Sequence, residues 1–208
     1  MFITFEGIDF CGKSTQVKLL EKYLIEHNKL VKIIREPGGT EISEKVRNIL
    51  LDKDHNKMMI ETEIFLFSAS RAQLVREKIR PFLGNEYYVI SDRFYDSTTA
   101  YQGYGRCLPL EAVKHINGLA IGNTIPDLTF FIDIPVEEAE IRKACKSNIE
   151  LDRIEISDME FYAKVRKGYL NIAAAEKRFR VINGMLSVDE IHRQIIDEMN
   201  LYEKKEFT

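Results

Sequence analysis

Hydrophobic residues along this chain alternate between short continuous runs and longer periodic stretches. Five runs, Phe2 to Phe5, Leu30 to Ile34, Tyr87 to Ile90, Leu128 to Ile132 and Phe179 to Ile182, are rich in β-branched or aromatic residues. Each gives way within a few residues to Gly, Pro, Asp or Asn, which predicts buried strands. Between them the spacing turns helical. Val17, Leu20 and Leu24 fall on one stripe, as do Ile64 and Phe67, then Val75 and Ile79 before Pro81. A last stripe, Val188, Ile191, Ile195 and Met199, follows Ser187 as a predicted N-cap with Glu190 three residues on. Strands alternating with helices imply an α/β fold, a five-stranded parallel sheet flanked by helices on both faces. No repeat, low-complexity tract or Pro/Ser-rich linker divides the chain, so one domain is expected over 1–208. The polar stretch from Lys143 to Ile156 fits neither rhythm and reads as a mobile segment.

Composition narrows the class. The 208 residues are 45% hydrophobic and carry 30 Lys plus Arg against 33 Asp plus Glu. That describes a globular domain able to bury a sizeable core. No apolar run approaches the ~20 residues of a membrane span. Met1 to Glu6 lacks a basic region followed by an apolar core, so no signal peptide and no membrane partner are expected. Three widely spaced cysteines, Cys11, Cys107 and Cys145, form no C-x-x-C pair, which suits a reducing cytoplasm. A net charge of −3 argues against a nucleic-acid surface but not against small anions met by locally placed cations.

The chemistry concentrates after the first run. Gly7-Ile8-Asp9-Phe10-Cys11-Gly12-Lys13-Ser14, followed by Thr15, reads G-x-x-x-x-G-K-S, a phosphate-binding loop. Its glycines let backbone N–H groups converge on an anion at a helix N-terminus; Lys13 reaches the β- and γ-phosphates, and Ser14 ligates Mg²⁺. Asp92, ending the third strand, and Asp9 are candidate carboxylates for the metal. The Asn-Lys pairs at Asn28 and Asn56 lack the Asp of a guanine specifier. Arg35, Arg47, Arg71, Arg93, Arg106, Arg142 and Arg153 are isolated arginines suited to a second phosphorylated ligand. Cys11, at a helix N-terminus beside Lys13, is expected to be a reactive thiol that bound ATP protects.

Further motifs resemble the bacterial thymidylate kinases, P-loop nucleoside monophosphate kinases: Arg35-Glu36-Pro37-Gly38-Gly39-Thr40, Phe67-Ser68-Ala69-Ser70-Arg71-Ala72-Gln73 and Asp92-Arg93-Phe94. Ser97-Thr98-Thr99-Ala100-Tyr101-Gln102-Gly103, Pro126-Asp127-Leu128-Thr129 and Leu151-Asp152-Arg153-Ile154-Glu155 continue the match, which spans Phe2 to Met199. The resemblance implies a homodimeric enzyme using Mg²⁺ and moving the ATP γ-phosphate to dTMP, in dTTP biosynthesis. It implies that Phe67 stacks on thymine, that Arg71, Thr98 and Gln102 meet the base's polar edge, and that Tyr101 lies beneath the deoxyribose. Arg47 and Arg93 would hold the acceptor's 5′-phosphate, with Ser97 in the same motif and Glu36 and Asp9 as nearby acids. Asn183-Gly184 resembles the turn beneath adenine. Relatives that carry a catalytic arginine in the loop place it where Phe10 stands here. A lid at about 142–156, with Arg142, Lys143, Lys146 and Arg153, would then supply the transition-state cation, leaving Arg142 and Arg153 as alternatives. A deoxynucleoside kinase acting on an unphosphorylated 5′-hydroxyl is the competing reading.

Overall fold

The computed structural model describes residues 1–145 and 151–206; Lys146, one of the expected lid cations, lies outside the described residues. Strands β1 (Phe2–Glu6), β2 (Val31–Arg35), β3 (Tyr88–Asp92), β4 (Leu128–Asp133) and β5 (Phe179–Asn183) pair in parallel, in the order β2-β3-β1-β4-β5. Phe2 and Val89 feed one buried apolar cluster, while their neighbours Ile3 and Ile90 feed another. Successive side chains on a strand point to opposite faces, so both faces of the sheet are covered and the strands read as continuous apolar runs. Each strand runs beyond its apolar run, ending in Glu6, Arg35, Asp92, Asp133 or Asn183. Asp92 is in register with both Arg35 and Phe5. These polar ends form the carboxyl edge of the sheet, where the strand order reverses beside β1, a position at which α/β sheets hold ligands.

Helix α1 (Lys13–Glu26) carries the Val17, Leu20 and Leu24 stripe into the core. After α2 (Glu41–Leu51), α3 (Ile60–Leu74) passes through a π-helical turn, Val75–Ile79, into α4 (Arg80–Gly84). The helix thus continues past Pro81, which takes an N-terminal position in α4; the wider turn absorbs the backbone bond that proline cannot donate. A second π turn, Thr99–Gly105, extends α5 (Tyr95–Thr98) and presents Tyr101 and Gln102. A Cβ at Gly105 would stand 2.6 Å from the Phe161 ring, so glycine there lets α8 (Met159–Ala175) approach. Between them lie α6 (Leu110–Ile121) and α7 (Val136–Ala144). α9 (Val188–Glu206) opens with the expected capping box: Glu190 N donates to Ser187 Oγ, and Ser187 N donates to Glu190 Oε2 at 2.9 Å. Among the described residues no helix is long and apolar enough to cross a membrane.

Candidate active site

A cavity of about 910 Å³ opens along the carboxyl edge of β1, β2 and β3. Its floor is the loop between β1 and α1. Gly7 (φ 144°), Phe10 (φ 63°) and Gly12 (φ 102°) hold left-handed backbone, the geometry that turns successive N–H groups inward. A side chain at Gly7 would meet Cys11 Sγ and the Ile132 carbonyl at 2.7 Å each. α1 begins with neither a side-chain cap nor an acidic residue in its first turn, leaving its positive end free for an anion. The Lys13 ammonium spans the loop, donating to Ile8 O at 2.8 Å and Gly7 O at 3.1 Å.

Ser14 Oγ donates to Asp92 Oδ2 at 2.7 Å, and both residues line the cavity. Hydroxyl and carboxylate oxygens suit Mg²⁺, which prefers hard oxygen donors and keeps waters and substrate phosphates in its shell. Among the described residues no group of three His, Cys, Asp or Glu could hold a metal. Asp9 sits apart from that pair. Its Oδ1 accepts from Arg93, and its Oδ2 accepts from the hydroxyls of Tyr101 and Tyr162 at 3.0 Å each. Burial pushes the Asp9 carboxyl up, but Arg93, Lys13 and the two tyrosines outweigh it and hold it below the usual range. The structure therefore groups Asp9 with Arg93 rather than with Ser14 and Asp92.

Arg93 itself has φ 70°, backbone strain of the kind that collects at functional positions. Its guanidinium also donates to Gly7 O at 2.8 Å and to Ser97 Oγ at 3.2 Å, tying the end of β3 to the phosphate loop. On the far wall Arg47 and Arg35 both donate to Pro37 O. Burial and the charge of Arg35 pull the Arg47 guanidinium below its usual pKa, as two cations facing one pocket must. Arg71, 1% exposed, donates to Glu36 Oε2 at 2.7 Å, to Asn117 Oδ1 at 3.1 Å and to Phe94 O. Burial raises the Glu36 carboxyl despite that pairing. Glu36 Oε1 and Thr98 Oγ1 are buried without a partner and belong to residues lining the cavity, so a bound ligand is their natural complement. Phe67 is half-buried against the core while also lining the cavity.

All ten residues expected around the acceptor, Asp9, Glu36, Arg47, Phe67, Arg71, Arg93, Ser97, Thr98, Tyr101 and Gln102, line this one cavity. The two lid cations separate. Arg142 lines it, donating to Cys11 O at 3.3 Å and Gly184 O at 2.9 Å, and so joins the phosphate loop to the Asn183-Gly184 turn. Arg153 turns away: Nε donates to Leu50 O at 2.8 Å and Nη1 pairs with Glu63 at 2.7 Å. Lys143 donates to Glu155 O. Asn183 accepts from Met185 N; neither it nor Gly184 lines the cavity, and Gly184 O is joined to the cavity-lining Arg142.

Two features differ from the sequence reading. Cys11 is 1% exposed within the core cluster, so its thiol lies beneath the loop rather than open to reagents. In the native protein Cys107 and Cys145, both exposed, are expected to react first with a thiol-specific reagent, and Cys11 only on unfolding, with or without ATP. Mass mapping of the adducts checks this, and native labelling of Cys11 at the rate of the other two sinks it. Glu6, which the sequence shows only as an acid ending an apolar strand, is fully buried. It accepts from Phe94 N (2.7 Å), Ser97 Oγ (2.6 Å) and Tyr169 OH (2.9 Å). Burial, reinforced by Asp96, pushes it up to about 7, and it pins the turn that carries Arg93.

The thymidylate kinase family model matches residues 5–195. A thymidylate kinase of Chlorobium luteolum is 50% identical over 208 residues, covering 96% of this chain and 97% of its own. One from Kosmotoga olearia is 47% identical over 206 residues, covering 99% and 98%. The crystal structure of an Ehrlichia chaffeensis thymidylate kinase superposes with a TM-score of 0.78 at 37% identity, covering 96% of this chain and 98% of its own.

Proposed function

The chain belongs to the thymidylate kinase family and transfers the γ-phosphate of ATP to dTMP, and from that premise we propose which residues carry each part of the reaction. Loop residues 7–15 cradle the ATP phosphates, with Lys13 against the β- and γ-oxygens and the Asn183-Gly184 turn, held by Arg142, on the adenine side. Ser14 and Asp92 are the residues that would hold Mg²⁺, which when bound neutralises and orients the phosphate oxygens. Arg47 and Arg93 grip the 5′-phosphate of dTMP, and Tyr101 underlies the sugar. Phe67 stacks on the base, whose polar edge meets Arg71, Thr98 and Gln102. Asp9, by fixing Arg93, aims that arginine between the two phosphates. Phosphoryl transfer is governed by positioning and charge. The reacting oxygens meet only when these cations offset the repulsion of two polyanions.

Arg142 is the transition-state cation under this reading, since it lines the cavity while Arg153 is committed to Glu63 and Leu50. The segment at about 142–156 acts as the lid that keeps water from the γ-phosphate, within one domain over 1–208. A cytoplasmic homodimer belongs to the same reading. The dimer is supported by exposed apolar residues Ile42, Ile49, Phe65 and Leu119 on α3 and on α2 and α6, each packed against α3, and sedimentation tests it.

The observation that carries the assignment is a single cavity uniting the phosphate loop with the whole acceptor set. Phe67→Ala is expected to raise KM for dTMP about tenfold or more, the ~1.4 kcal/mol of a lost stacking contact, with KM for ATP little changed. Steady-state kinetics in each substrate decide it. Equal damage to both KM values would return Phe67 to a packing role.

A further inference from the structure

Glu63 is a buried acid to which the reaction gives no role. It stands on α3 one turn before Phe67 and two before Arg71, so the three share a helix face. It is 1% exposed, and its carboxylate is shared three ways. Oε1 accepts from Gln102 Nε2 at 2.9 Å and from Arg106 Nε at 3.4 Å, while Oε2 pairs with Arg153 Nη1 at 2.7 Å. Two guanidiniums balance its charge, yet a buried ion cluster of this kind is weak as a source of stability and is better explained by what it specifies.

What it specifies is the orientation of an amide. A carboxamide has a donor end and an acceptor end, and either can face a ligand. A carboxylate only accepts. Against Glu63, therefore, Gln102 must present its amino group, because the flipped rotamer would set carbonyl oxygen against carboxylate in a dry environment. The planar amide then turns its Oε1 carbonyl away from Glu63, and Gln102 is a cavity-lining residue. Arg71, on the same wall, carries only donors. Thr98, also on that wall, keeps a buried hydroxyl with no partner, which rotates to suit whatever is bound.

We propose that Glu63 is a positioning residue for base selection: by locking Gln102 it makes this end of the cavity a fixed donor–acceptor pair, matched to a pyrimidine edge bearing C=O beside N–H. Thymine has that edge. Cytosine inverts it, with an amino group beside a bare ring nitrogen, so donor meets donor and acceptor meets acceptor. Sites built around such fixed polar groups reject a mismatched edge far more strongly than apolar pockets reject a methyl. The proposal rests on the reading that the base lies against Phe67, Arg71 and Gln102.

The matched probes are dTMP and 5-methyl-2′-deoxycytidine 5′-monophosphate, which share methyl, sugar and phosphate and differ only at the edge. In Glu63→Gln the ratio of their kcat/KM values is expected to fall about tenfold or more. KM for dTMP should rise while KM for ATP and kcat at saturation stay near those of the parent. Glu63→Asp, which keeps an acceptor-only group, should retain the ratio even where thermal melting shows lowered stability. Loss of the ratio in Glu63→Asp as complete as in Glu63→Gln overturns the proposal. So does a full effect of Glu63→Gln on the ratio in a Gln102→Ala background, which would mean that Glu63 acts through Arg153 or Arg106. If Gln102→Ala alone leaves the ratio unchanged, the base-site reading itself has failed.

Discussion

Lys13→Ala is expected to reduce kcat by about 10³-fold, the upper range for removing one preorganised electrostatic contact to a developing charge, with little change in KM for dTMP. The expectation follows from where the ammonium sits. Lys13 is 6% exposed, and its Nζ is fixed by two backbone carbonyls of the loop, Gly7 O and Ile8 O. The ammonium is thus fixed against the loop proposed to cradle the ATP phosphates. α1 has no acid in its first turn to compete with those phosphates, and Asp9, which feels the Lys13 charge, is itself paired with Arg93. Alanine removes that charge and fills nothing. The acceptor wall, built from Arg47, Phe67 and Arg71, shares no hydrogen bond with Lys13 and should bind dTMP as before. A coupled assay for ADP release, run with near-parent circular dichroism, checks the outcome. A kcat within tenfold of the parent would mean that Lys13 is only a brace for the loop.

The parts legible in the sequence are those whose cause is local. Five strands show because burial on both faces forces continuous apolar runs. Their last residues, Glu6, Arg35, Asp92, Asp133 and Asn183, escape that signal because they still belong to the sheet but are polar: Arg35 and Asp92 meet the cavity, Glu6 is buried on hydrogen bonds and Asp133 pairs with Arg166. The phosphate loop shows because its two glycines, lysine and serine must stand at a fixed short spacing. Helix α8 does not show, since its buried face mixes Phe161 and Val165 with Tyr162, Gly168 and Tyr169, polar-tipped or small residues that blur an apolar stripe. The least legible features are pairings set by distant acids. Arg153 looks like a free lid cation until Glu63, ninety residues earlier, is seen to hold it. Nothing in the residues beside Glu6 or Glu63 announces that the fold buries them. Cys11 looks exposed in a loop until the loop closes over it. Which way an arginine or a thiol points depends on contacts that no short window contains.

Arg71 joins both kinds of cause, and its removal should damage stability as well as binding. Arg71→Met keeps the length and packing of the side chain but leaves Glu36 Oε2 and Asn117 Oδ1 without their donor in a region where both Arg71 and Glu36 are buried. Stripping one partner from a buried ion pair costs about 3–5 kcal/mol, or on the order of 10 °C in Tm for a chain of this size. The loss should depend on pH in a set direction. Burial already raises the Glu36 carboxyl above its ordinary value, with Arg71 opposing; without Arg71 it rises further. A carboxyl that holds its proton more tightly folded than unfolded destabilises the fold increasingly as pH climbs above the unfolded value. The variant's deficit should therefore be greatest at neutral pH and shrink on acidification to about pH 5, because a carboxyl raised above its ordinary value takes up its proton earlier as the pH falls. Adding Glu36→Gln should recover part of the neutral-pH loss, because an amide needs no counter-charge. Urea unfolding of parent, single and double variants at both pH values reads this directly. A deficit that grew on acidification, or one below about 1 kcal/mol at neutral pH, would show that the Glu36–Arg71 pair does not hold this wall of the cavity. Weaker dTMP binding by Arg71→Met would then be due to the lost base contact alone.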